Sequence, residues 1–591
     1  MSKQVIGKIK RINGSLVIAE GLTEAKIGDV VYIGEPKLIG EVVRISGGEF
    51  ALQCYEDTSG LKPGEPVIGT GSPLVAELGP GLIGEIFDGL ERSELELWRL
   101  SGPFIKKGYK IAPLKRDKKW HFTPRVKPGD EVVEGDILGT VQESSVIEHR
   151  VLVPIGVKGI IQKIEEGDFT VDEPVAELKT PSNETIQVKM IQVWPVRIPR
   201  PYKERLPIVE PLFTGQRVID TFFPIAKGGT AAIPGGFGSG KTVTLQQIAK
   251  WSNADIVIYV GCGERGNEMA DILTHFPALE DPRTGKKLIE RAIFVANVSN
   301  LPVAAREASI YFGVTIAEYF RDQGYDVAVI VDSTSRWAEA LRDISGRLEE
   351  IPAEEGYPAY LAERIARFYE RAGRVITLGR GKRVGSVTIM GAVSPPGGDF
   401  SEPVTSTTLR CVGALWALDT ELAYRRHFPA INWLRSFTKY IDVLVDFWKK
   451  HDPEWQKYRG KALSILEEAS RLEEIASVVG EKSLPEEQRL ILLASEIIRE
   501  GFLVQSAFHM VDRYCPPERQ VKILHVIVDF YDLAMPLIKS GIPVDKLREL
   551  RSVMDLLRLK EKEKLGEIDE SFEKLKKDLE SLRAKYEVRA S

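Results

Sequence analysis

One stretch decides the fold of this chain of 591 residues, namely Ala231-Ala232-Ile233-Pro234-Gly235-Gly236-Phe237-Gly238-Ser239-Gly240-Lys241-Thr242. It fits the pattern G-x-x-x-x-G-K-[ST] of a phosphate-binding loop. Small apolar residues before the loop predict a short buried strand, and residues 243–251 after it predict a helix. The glycines allow the backbone to wrap around an anion, and the loop N–H groups and the helix N-terminus then point towards phosphate. The stretch therefore predicts a nucleotide-binding strand–loop–helix unit.

Within this loop, Lys241 is expected to reach the β- and γ-phosphates, and the hydroxyl of Thr242 is expected to bind Mg²⁺. The residues of the loop that we predict to bind the nucleotide are Gly235, Gly236, Phe237, Gly238, Ser239, Gly240, Lys241, Thr242 and Val243. The alternative is a glycine-rich turn that matches the pattern by chance. The strand–helix context and the terminal Lys-Thr pair disfavour it.

The amino-acid composition limits the classes of function that this chain can have. A chain of this length predicts about three or four domains, and 43% hydrophobic with 28% charged residues is an ordinary globular composition. A net charge of −5 gives no reason to expect a nucleic-acid partner. No apolar run approaches the ~20 residues that cross a bilayer, and the N-terminus lacks a signal-peptide pattern. Any membrane association is therefore expected to come through partners. Four cysteines, far apart in sequence, suggest neither a disulfide framework nor a zinc site.

The order of sequence patterns predicts four regions. Short alternating runs with glycine turns over residues 1–72 predict a small β-barrel. Residues 111–189 repeat turn and strand patterns and predict an all-β insertion. Residues 73–110 and 190–440 form the α/β region around the loop, because near-continuous β-branched runs alternate there with helical stretches. Residues 441–591 are predicted to be helical. The proline-rich stretch 194–201 is interpreted as an extended linker.

Two predicted strands of the α/β region end in acidic residues. One runs over 255–260 into Gly263-Glu264-Arg265-Gly266, and its carboxyl end is expected to face the nucleotide. Glu264 is then placed to activate a water molecule, and Arg265 to hold a phosphate oxygen or a subunit contact. A surface loop with paired charges is the alternative.

A second strand, over residues 326–331, ends at Asp332, the usual position of the acid that holds Mg²⁺.

Arg306 is a candidate phosphate ligand, with an ordinary helix-surface arginine as the alternative. Adenine needs a flat apolar slot, and Phe428 and Phe508 are candidates for it. Core packing is the alternative for both rings.

Together these motifs resemble the catalytic A subunit of the archaeal and vacuolar-type rotary ATP synthases and ATPases. The resemblance covers nearly the whole chain. The stretches that carry it are Gly263 to Met269, Pro302 to Tyr311, Asp332 to Ala340, Ser394 to Asp399 and Arg426 to Trp433.

The resemblance implies an N-terminal β-barrel, a RecA-like nucleotide domain, a C-terminal helical domain, and a family-specific "bulge" domain over 111–189. It implies that Lys241, Glu264 and Arg265 are catalytic, that Thr242 and Asp332 serve Mg²⁺, and that ATP or ADP is the substrate. It also implies that Arg306 contacts phosphate and that Phe428, Gln505 and Phe508 lie at the adenine.

The resemblance further implies partners and a location. Three copies are expected to alternate with three B subunits in an A3B3 hexamer, together with central-stalk and peripheral-stalk subunits. The site lies at the A–B interface and takes its arginine finger from B, and ATP synthesis or hydrolysis is coupled to H⁺ or Na⁺ transport. The chain is expected at the cytoplasmic face of the cell membrane, peripherally, without nucleic acid.

One departure from the family pattern lies inside the loop, where Gly236 replaces the usual proline. Proline fixes φ and glycine frees it, so a floppier loop and slightly weaker nucleotide binding are expected.

Two other function classes remain at this point. A hexameric helicase would need a basic, aromatic strip on the barrel, and the barrel instead carries many acids. A scaffold that binds nucleotide without hydrolysing it is disfavoured by the intact Lys241, Glu264 and Asp332.

Overall fold

The structure, a computed structural model, describes residues 5–102, 107–281 and 283–590. The chain folds as two compact units. The first unit contains residues up to 208, together with 227–230 and 254–412. The second contains 209–226, 231–253 and the chain from 413 onward. The phosphate loop and its helix thus belong to the same unit as the C-terminal helices.

A closed β-barrel begins the first unit, with strand order β1-β2-β5-β4-β3-β6. Its strands are β1 (Val5–Asn13), β2 (Leu16–Glu20), β3 (Asp29–Ile33), β4 (Leu38–Ser46), β5 (Glu49–Cys54) and β6 (Pro66–Pro73). Alternating side chains such as Val17, Val31 and Leu52 fill its core, as the period-2 pattern predicts. The predicted N-terminal barrel is confirmed.

Three elements lead from the barrel to the insertion. They are β7 (Val75–Leu78), β8 (Ile86–Phe87) and α1 (Glu94–Ser101). The insertion itself contains two four-stranded sheets, ordered β10-β13-β15-β16 and β12-β11-β9-β14. Its strands are β9 (Trp120–Pro124), β10 (Glu131–Val132), β11 (Ile137–Gln142), β12 (Glu148–Leu152), β13 (Gly159–Ile164), β14 (Gly167–Phe169), β15 (Pro174–Lys179) and β16 (Thr185–Lys189).

Strands and helices alternate after the insertion. In chain order the elements are β17 (Gln192–Pro195), β18 (Glu204–Leu206), β19 (Pro211–Leu212), β20 (Ile225–Ala226), β21 (Thr230–Pro234), α2 (Lys241–Trp251), β22 (Ile256–Cys262), α3 (Gly266–His275), β23 (Ala292–Asn297), α4 (Val303–Asp322), β24 (Asp326–Asp332), α5 (Thr334–Arg347), α6 (Leu361–Tyr369), β25 (Gly373–Ile376), β26 (Val384–Val393), α7 (Pro403–Cys411), β27 (Ala414–Leu415), α8 (Thr420–Tyr424) and β28 (Phe437–Thr438).

In the first unit, a parallel sheet has the order β26-β24-β22-β23-β8. Every residue of β22 and β23 is buried, because helices cover sheets of this kind on both faces. The predicted α/β region is thereby confirmed. Strand β22 runs two residues beyond its predicted end at Val260. The linker interpretation is wrong for Trp194 and Pro195, which lie in β17 and pair with β7.

In the second unit, β21 pairs in parallel with β27, and β28 pairs antiparallel with β27. The helices that follow are α9 (Ile441–His451), α10 (Trp455–Val479), α11 (Glu486–Ile498), α12 (Pro517–Lys539), α13 (Val544–Arg548), α14 (Arg551–Asp555) and α15 (Leu565–Ala590). Leu472 on α10 and Leu492 on α11 share one apolar cluster. The predicted C-terminal helical region is confirmed.

Candidate functional site

The phosphate loop joins β21 to α2 in the second unit. Gly238 and Gly240 have φ values of +79° and +86°, a conformation that glycine adopts without the strain of a Cβ. The carbonyl of Gly236 accepts hydrogen bonds from the N–H and the hydroxyl of Ser239, at 3.4 and 2.8 Å. The ammonium of Lys241 lies over the same turn and donates to the carbonyls of Gly235 and Gly236, at 2.7 and 2.9 Å. The loop therefore places a cation beside a turn of backbone groups at a helix N-terminus.

The predicted adenine residues lie in the same unit as the loop, and two of their segments are joined directly. The backbone N–H of Gln505 donates to the carbonyl of Phe428 at 2.8 Å. A Cβ on Gly240 would stand 3.5 Å from Cε1 of the Phe428 ring, so that ring lies beside the end of the phosphate loop. Phe428 is 42% exposed and Phe508 is 93% exposed, which excludes core packing for Phe508 and leaves one face of Phe428 accessible.

Gln505 differs from the two rings because its side chain is buried and fully engaged. Its amide oxygen accepts from the backbone N–H of Arg217 at 2.8 Å. Its amide nitrogen donates to the carbonyls of Gly215 and Asp512, both at 2.8 Å. The Gln505 amide therefore holds the loop that carries Phe508, and direct contact between this amide and a nucleotide stays a prediction.

In the first unit, Glu264 lies in the loop between β22 and α3. Its carbonyl accepts from the N–H of Ser299 at 2.9 Å, and the N–H of Gly263 donates to the carbonyl of Asn297 at 2.6 Å. Burial raises the pKa of the Glu264 carboxyl to about 7. The negative charges of Asp332 and Glu268 add to this rise, and Arg336 opposes it.

Asp332 ends β24 and is 1% exposed. The hydroxyl of Tyr259, on the neighbouring strand β22, donates to Oδ2 of Asp332 at 3.0 Å. Burial and the charge of Asp332 hold the pKa of the Tyr259 hydroxyl well above its usual range. The Tyr259 hydroxyl therefore keeps its proton near neutral pH, and its hydrogen bond orients the carboxylate.

Arg306 lies in the first turns of α4 and packs against the loop of Glu264. A Cβ on Gly263 would stand 2.9 Å from Cδ of Arg306 and 2.8 Å from Cβ of Arg336. Gly263 also has a φ of +73°, so two independent constraints require glycine there. Arg306 donates from Nη2 to the carbonyl of Ser299 at 2.9 Å. The structure thus brings Glu264, Arg306 and Arg336 together.

Several of the predicted loop and helix residues are exposed, among them Phe237 at 78%. Arg265 occupies the N-cap position of α3 and is exposed. Val243, in the first turn of α2, is 48% exposed. These side chains are accessible from solvent, and their contacts with a nucleotide stay predictions.

Sequence reasoning missed three residues that shape the carboxylate region. Tyr259 sits inside a buried strand, where an aromatic residue is ordinary, and only the structure reveals its hydrogen bond to Asp332. Arg336 and Glu268 act on the Glu264 carboxyl through space. The signal available for Arg336 was its position four residues after Asp332, in the same motif.

Family models match four consecutive parts of the chain. The beta-barrel domain of the ATP synthase alpha/beta family matches residues 9–71, and the alpha/beta subunit barrel-sandwich domain matches 111–197. The nucleotide-binding domain of the same family matches 215–438. The C-terminal domain of V and A type ATP synthase matches 445–548.

Curated relatives match over the full length. The chain is 56% identical over 591 residues to the A subunit of the A-type ATP synthase of Thermofilum pendens, covering 100% of this chain and 98% of the relative. It is 56% identical over 583 residues to the A subunit of the A-type ATP synthase of Thermococcus kodakarensis, covering 98% of this chain and 100% of the relative.

Among solved structures, the chain is similar to the assembled ATPase EscN from the type III secretion system of enteropathogenic E. coli. The TM-score is 0.62 at 22% identity, covering 88% of this chain and 100% of EscN. At this identity the likeness concerns the fold.

Proposed function

Because the chain belongs to the family formed by the A subunits of A-type ATP synthases, we propose that the phosphate loop and the carboxylate residues described above perform its catalysis. As a member of this family, the chain is the catalytic, nucleotide-binding subunit of an enzyme that couples ATP synthesis or hydrolysis to ion translocation. The observation that carries our assignment of roles is the half-buried Glu264 carboxyl, whose pKa of about 7 suits a group that exchanges protons near neutral pH.

The phosphate loop binds the phosphate chain of ATP or ADP in this proposal. Its backbone N–H groups and the N-terminus of α2 supply fixed dipoles for phosphate oxygens. Lys241 adds a full positive charge at the β- and γ-phosphates. Phe428 and Phe508 provide exposed aromatic faces for the adenine.

Glu264 is the general base in the direction of hydrolysis. Its ionised carboxylate accepts a proton from the attacking water, and the protonated acid returns that proton when the reaction runs towards synthesis. Arg306 and Arg265 hold phosphate oxygens and stabilise the charge that spreads over them in the transition state.

Magnesium fits the residues present. Mg²⁺ prefers hard oxygen ligands and keeps several waters, so it needs only one or two protein groups beside the phosphates. The Thr242 hydroxyl and the Asp332 carboxylate offer such oxygens. Among the residues that the structure describes, no group of three or more His, Cys, Asp or Glu side chains is placed to hold a metal, and a nucleotide-bound Mg²⁺ requires none. When bound, the ion neutralises phosphate charge.

The chain works within a larger complex, since an A-type ATP synthase is a multi-subunit enzyme. We propose an alternating A3B3 hexamer with central and peripheral stalks, in which B contributes an arginine finger to the site. No helix in the described parts of the chain is both long and apolar enough to span a bilayer. Attachment to the cytoplasmic face of the membrane through partner subunits is part of the same proposal.

Steady-state Mg-ATP hydrolysis by the chain alone and mixed with its B subunit tests the shared site. An arginine supplied in trans is worth about 10³–10⁵ in rate for this chemistry, so we expect strong activity only in the mixture. Full activity without B would contradict the shared site. Nucleotide binding without turnover in the mixture would instead favour a nucleotide-holding role.

A further inference from the structure

A cavity of about 550 Å³ lies in the first unit and is separate from every residue assigned a role above. It is lined by the segment 197–205, by α4 and α6, and by residues 370–375. Seven of its lining residues are arginines, and no lysine lines it. We call it the arginine pocket. Its volume is in the range of small-molecule sites.

Five of these arginines are paired with carboxylates. The pairs are Arg197 with Glu41 and Glu307, Arg200 and Arg321 with Asp322, Arg371 with Glu318, and Arg367 with Glu363. Most of these pairs are buried and hydrogen-bonded, which is the condition under which buried charges are tolerated. The exposed Arg367–Glu363 pair is the exception.

The other two arginines of the arginine pocket have no carboxylate within 4 Å in the described part of the chain. Arg205 is exposed and donates from Nη2 to the backbone carbonyl of Ala372 at 2.7 Å. Arg364 is half-buried on α6, with its guanidinium 5.6 Å from the centre of the Tyr360 ring. Its side chain is hydrogen-bonded with Tyr311, and the negative charge of Glu307 acts on it from beyond 4 Å. Glu370 is the one lining carboxylate without a cation within 4 Å among the described residues, and it is exposed. The lining of the arginine pocket therefore includes two arginines and one glutamate that have no oppositely charged side chain within 4 Å among the described residues.

We propose that the arginine pocket binds a phosphate-chain anion, such as pyrophosphate or the diphosphate of a nucleotide. The planar guanidinium fork matches phosphate bidentately, and arginine without lysine is typical of such recognition. A phosphate chain also carries several negative charges, which the two arginines without a carboxylate within 4 Å attract. The concave shape favours a small ligand over an extended acidic segment of a protein. This inference is independent of the roles proposed for the phosphate loop.

Pyrophosphate titration of the full-length chain by isothermal calorimetry tests the proposal. Because the phosphate loop also binds phosphate, the measurement is made in wild type and in Lys241→Ala. We expect two sites in wild type, of which Lys241→Ala should weaken one by about ten- to a hundredfold and leave the other unchanged. Adding Arg205→Gln and Arg364→Gln to Lys241→Ala should weaken the remaining site by about tenfold or more, since each removes charged hydrogen bonds. Arg125→Gln, which removes an exposed arginine of the insertion, is the matched control and should change nothing.

Each alternative outcome has a definite meaning. Loss of all pyrophosphate binding in Lys241→Ala would overturn the arginine pocket as a site and leave the phosphate loop assignment standing. Two sites that both survive in Lys241→Ala would count against the loop assignment alone. Binding of hexaglutamate in place of pyrophosphate, with the same dependence on Arg205 and Arg364, would overturn the phosphate proposal in favour of an acidic protein segment. ADP titration in the Lys241→Ala background, with and without Arg205→Gln and Arg364→Gln, separates the two supporting cases. ADP binding that depends on these two arginines and is tighter than that of pyrophosphate identifies a nucleotide.

Glu370→Gln keeps the proposal testable if the arginine variants unfold. The change removes an exposed carboxylate that repels the anion and leaves the buried pairs untouched. We expect pyrophosphate to bind about two- to fivefold more tightly, the size of an exposed charge interaction. Unchanged or weaker binding would contradict an anion in this cavity.

Discussion

The phosphate loop presents backbone groups, whereas the loop that carries Glu264 presents ionisable side chains. In the first, Gly238 and Gly240 set the conformation, and the electrostatic contribution comes from fixed dipoles and one lysine. In the second, burial and neighbouring charges raise the pKa of Glu264 to about 7. The first depends on residues adjacent in sequence. The second depends on Asp332 and Arg336, which are distant in sequence, so it is tuned by tertiary structure.

This contrast separates the expected effects of mutation. Changes in the phosphate loop should act on nucleotide affinity, because dipoles and the lysine bind ground state and product alike. Changes at Glu264 should act on turnover and its pH dependence, because a general base acts on the transition state.

The largest effect is expected for Glu264→Gln, which keeps the size of the side chain and removes the base. The turnover number of the assembled enzyme should fall by about 10²–10⁴, the usual contribution of general base catalysis. ADP affinity, measured by calorimetry, should change little. If the variant retains turnover within a few-fold of wild type, Glu264 is not the general base, and the difference between the two loops does not hold.

The second effect is expected for Lys241→Ala, which removes the ammonium that lies over Gly235 and Gly236. ADP affinity should fall by about ten- to a hundredfold, since hydrogen bonds to charged groups contribute about 1.5–3 kcal/mol each. Lys250→Ala, in the last turn of the same helix, is the control for lost charge. Equal losses from both changes would show that net charge, and not the position of Lys241, governs affinity.

The fold could be predicted where local patterns decide it. The buried runs of β22 and β24 were predicted to within two residues of their observed ends, because a run buried on both faces needs no partner to be recognised. Strand β17 was missed, since Trp194 pairs with Ala76 more than a hundred residues away. A proline-rich stretch gives no sign of such a distant partner.

The candidate site likewise combines features that local sequence determines with features that depend on distant partners. The sequence motif specifies the loop glycines, and Gly238 and Gly240 adopt a backbone conformation with positive φ. The sequence also predicts that Glu264 and Asp332 follow or end strands of the same α/β region. In the structure these two strands pair directly, with Gly261 opposite Asp332. The sequence does not predict the hydrogen bond from Tyr259 or the engaged side chain of Gln505, because both depend on which distant groups are buried together.

A third prediction concerns pH. The pKa of the Glu264 carboxyl is raised to about 7, and Glu268 contributes to the rise. The base form is ionised, so turnover should rise as pH increases through about 7 and fall on the acidic side. Glu268→Gln removes a negative charge, lowers the pKa of Glu264 and should shift this limb of the pH–rate profile to lower pH.

The profile of the assembled enzyme between pH 5.5 and 8.5 provides the measurement, with Glu264→Gln as the reference that lacks the limb. At about pH 6, Glu268→Gln should therefore be several-fold faster relative to its own plateau than wild type. A shift towards higher pH, or none, would show that Glu264 does not control this limb.

The smallest effect is expected for Gly236→Pro, which restores the residue typical of the family. Gly236 is not among the glycines with positive φ, and its N–H makes no hydrogen bond within the described chain, so proline removes no bond there. A Cβ would stand 3.2 Å from Cγ2 of Thr420, a contact that a shift of a few tenths of an ångström relieves.

Gly236→Pro should raise the free energy of unfolding by about 0.4–1 kcal/mol through the unfolded chain. It should tighten ADP binding by a similar free energy, because the loop loses less conformational freedom when the nucleotide binds. Denaturant unfolding and calorimetry measure the two quantities. Thr420→Ser, which removes the methyl group in contact, separates the steric part from the backbone part. If Gly236→Pro weakens ADP binding in both backgrounds, the loop needs glycine at 236 to close around phosphate. Nucleotide binding by the phosphate loop would then depend on the mobility of its backbone rather than on a preformed turn.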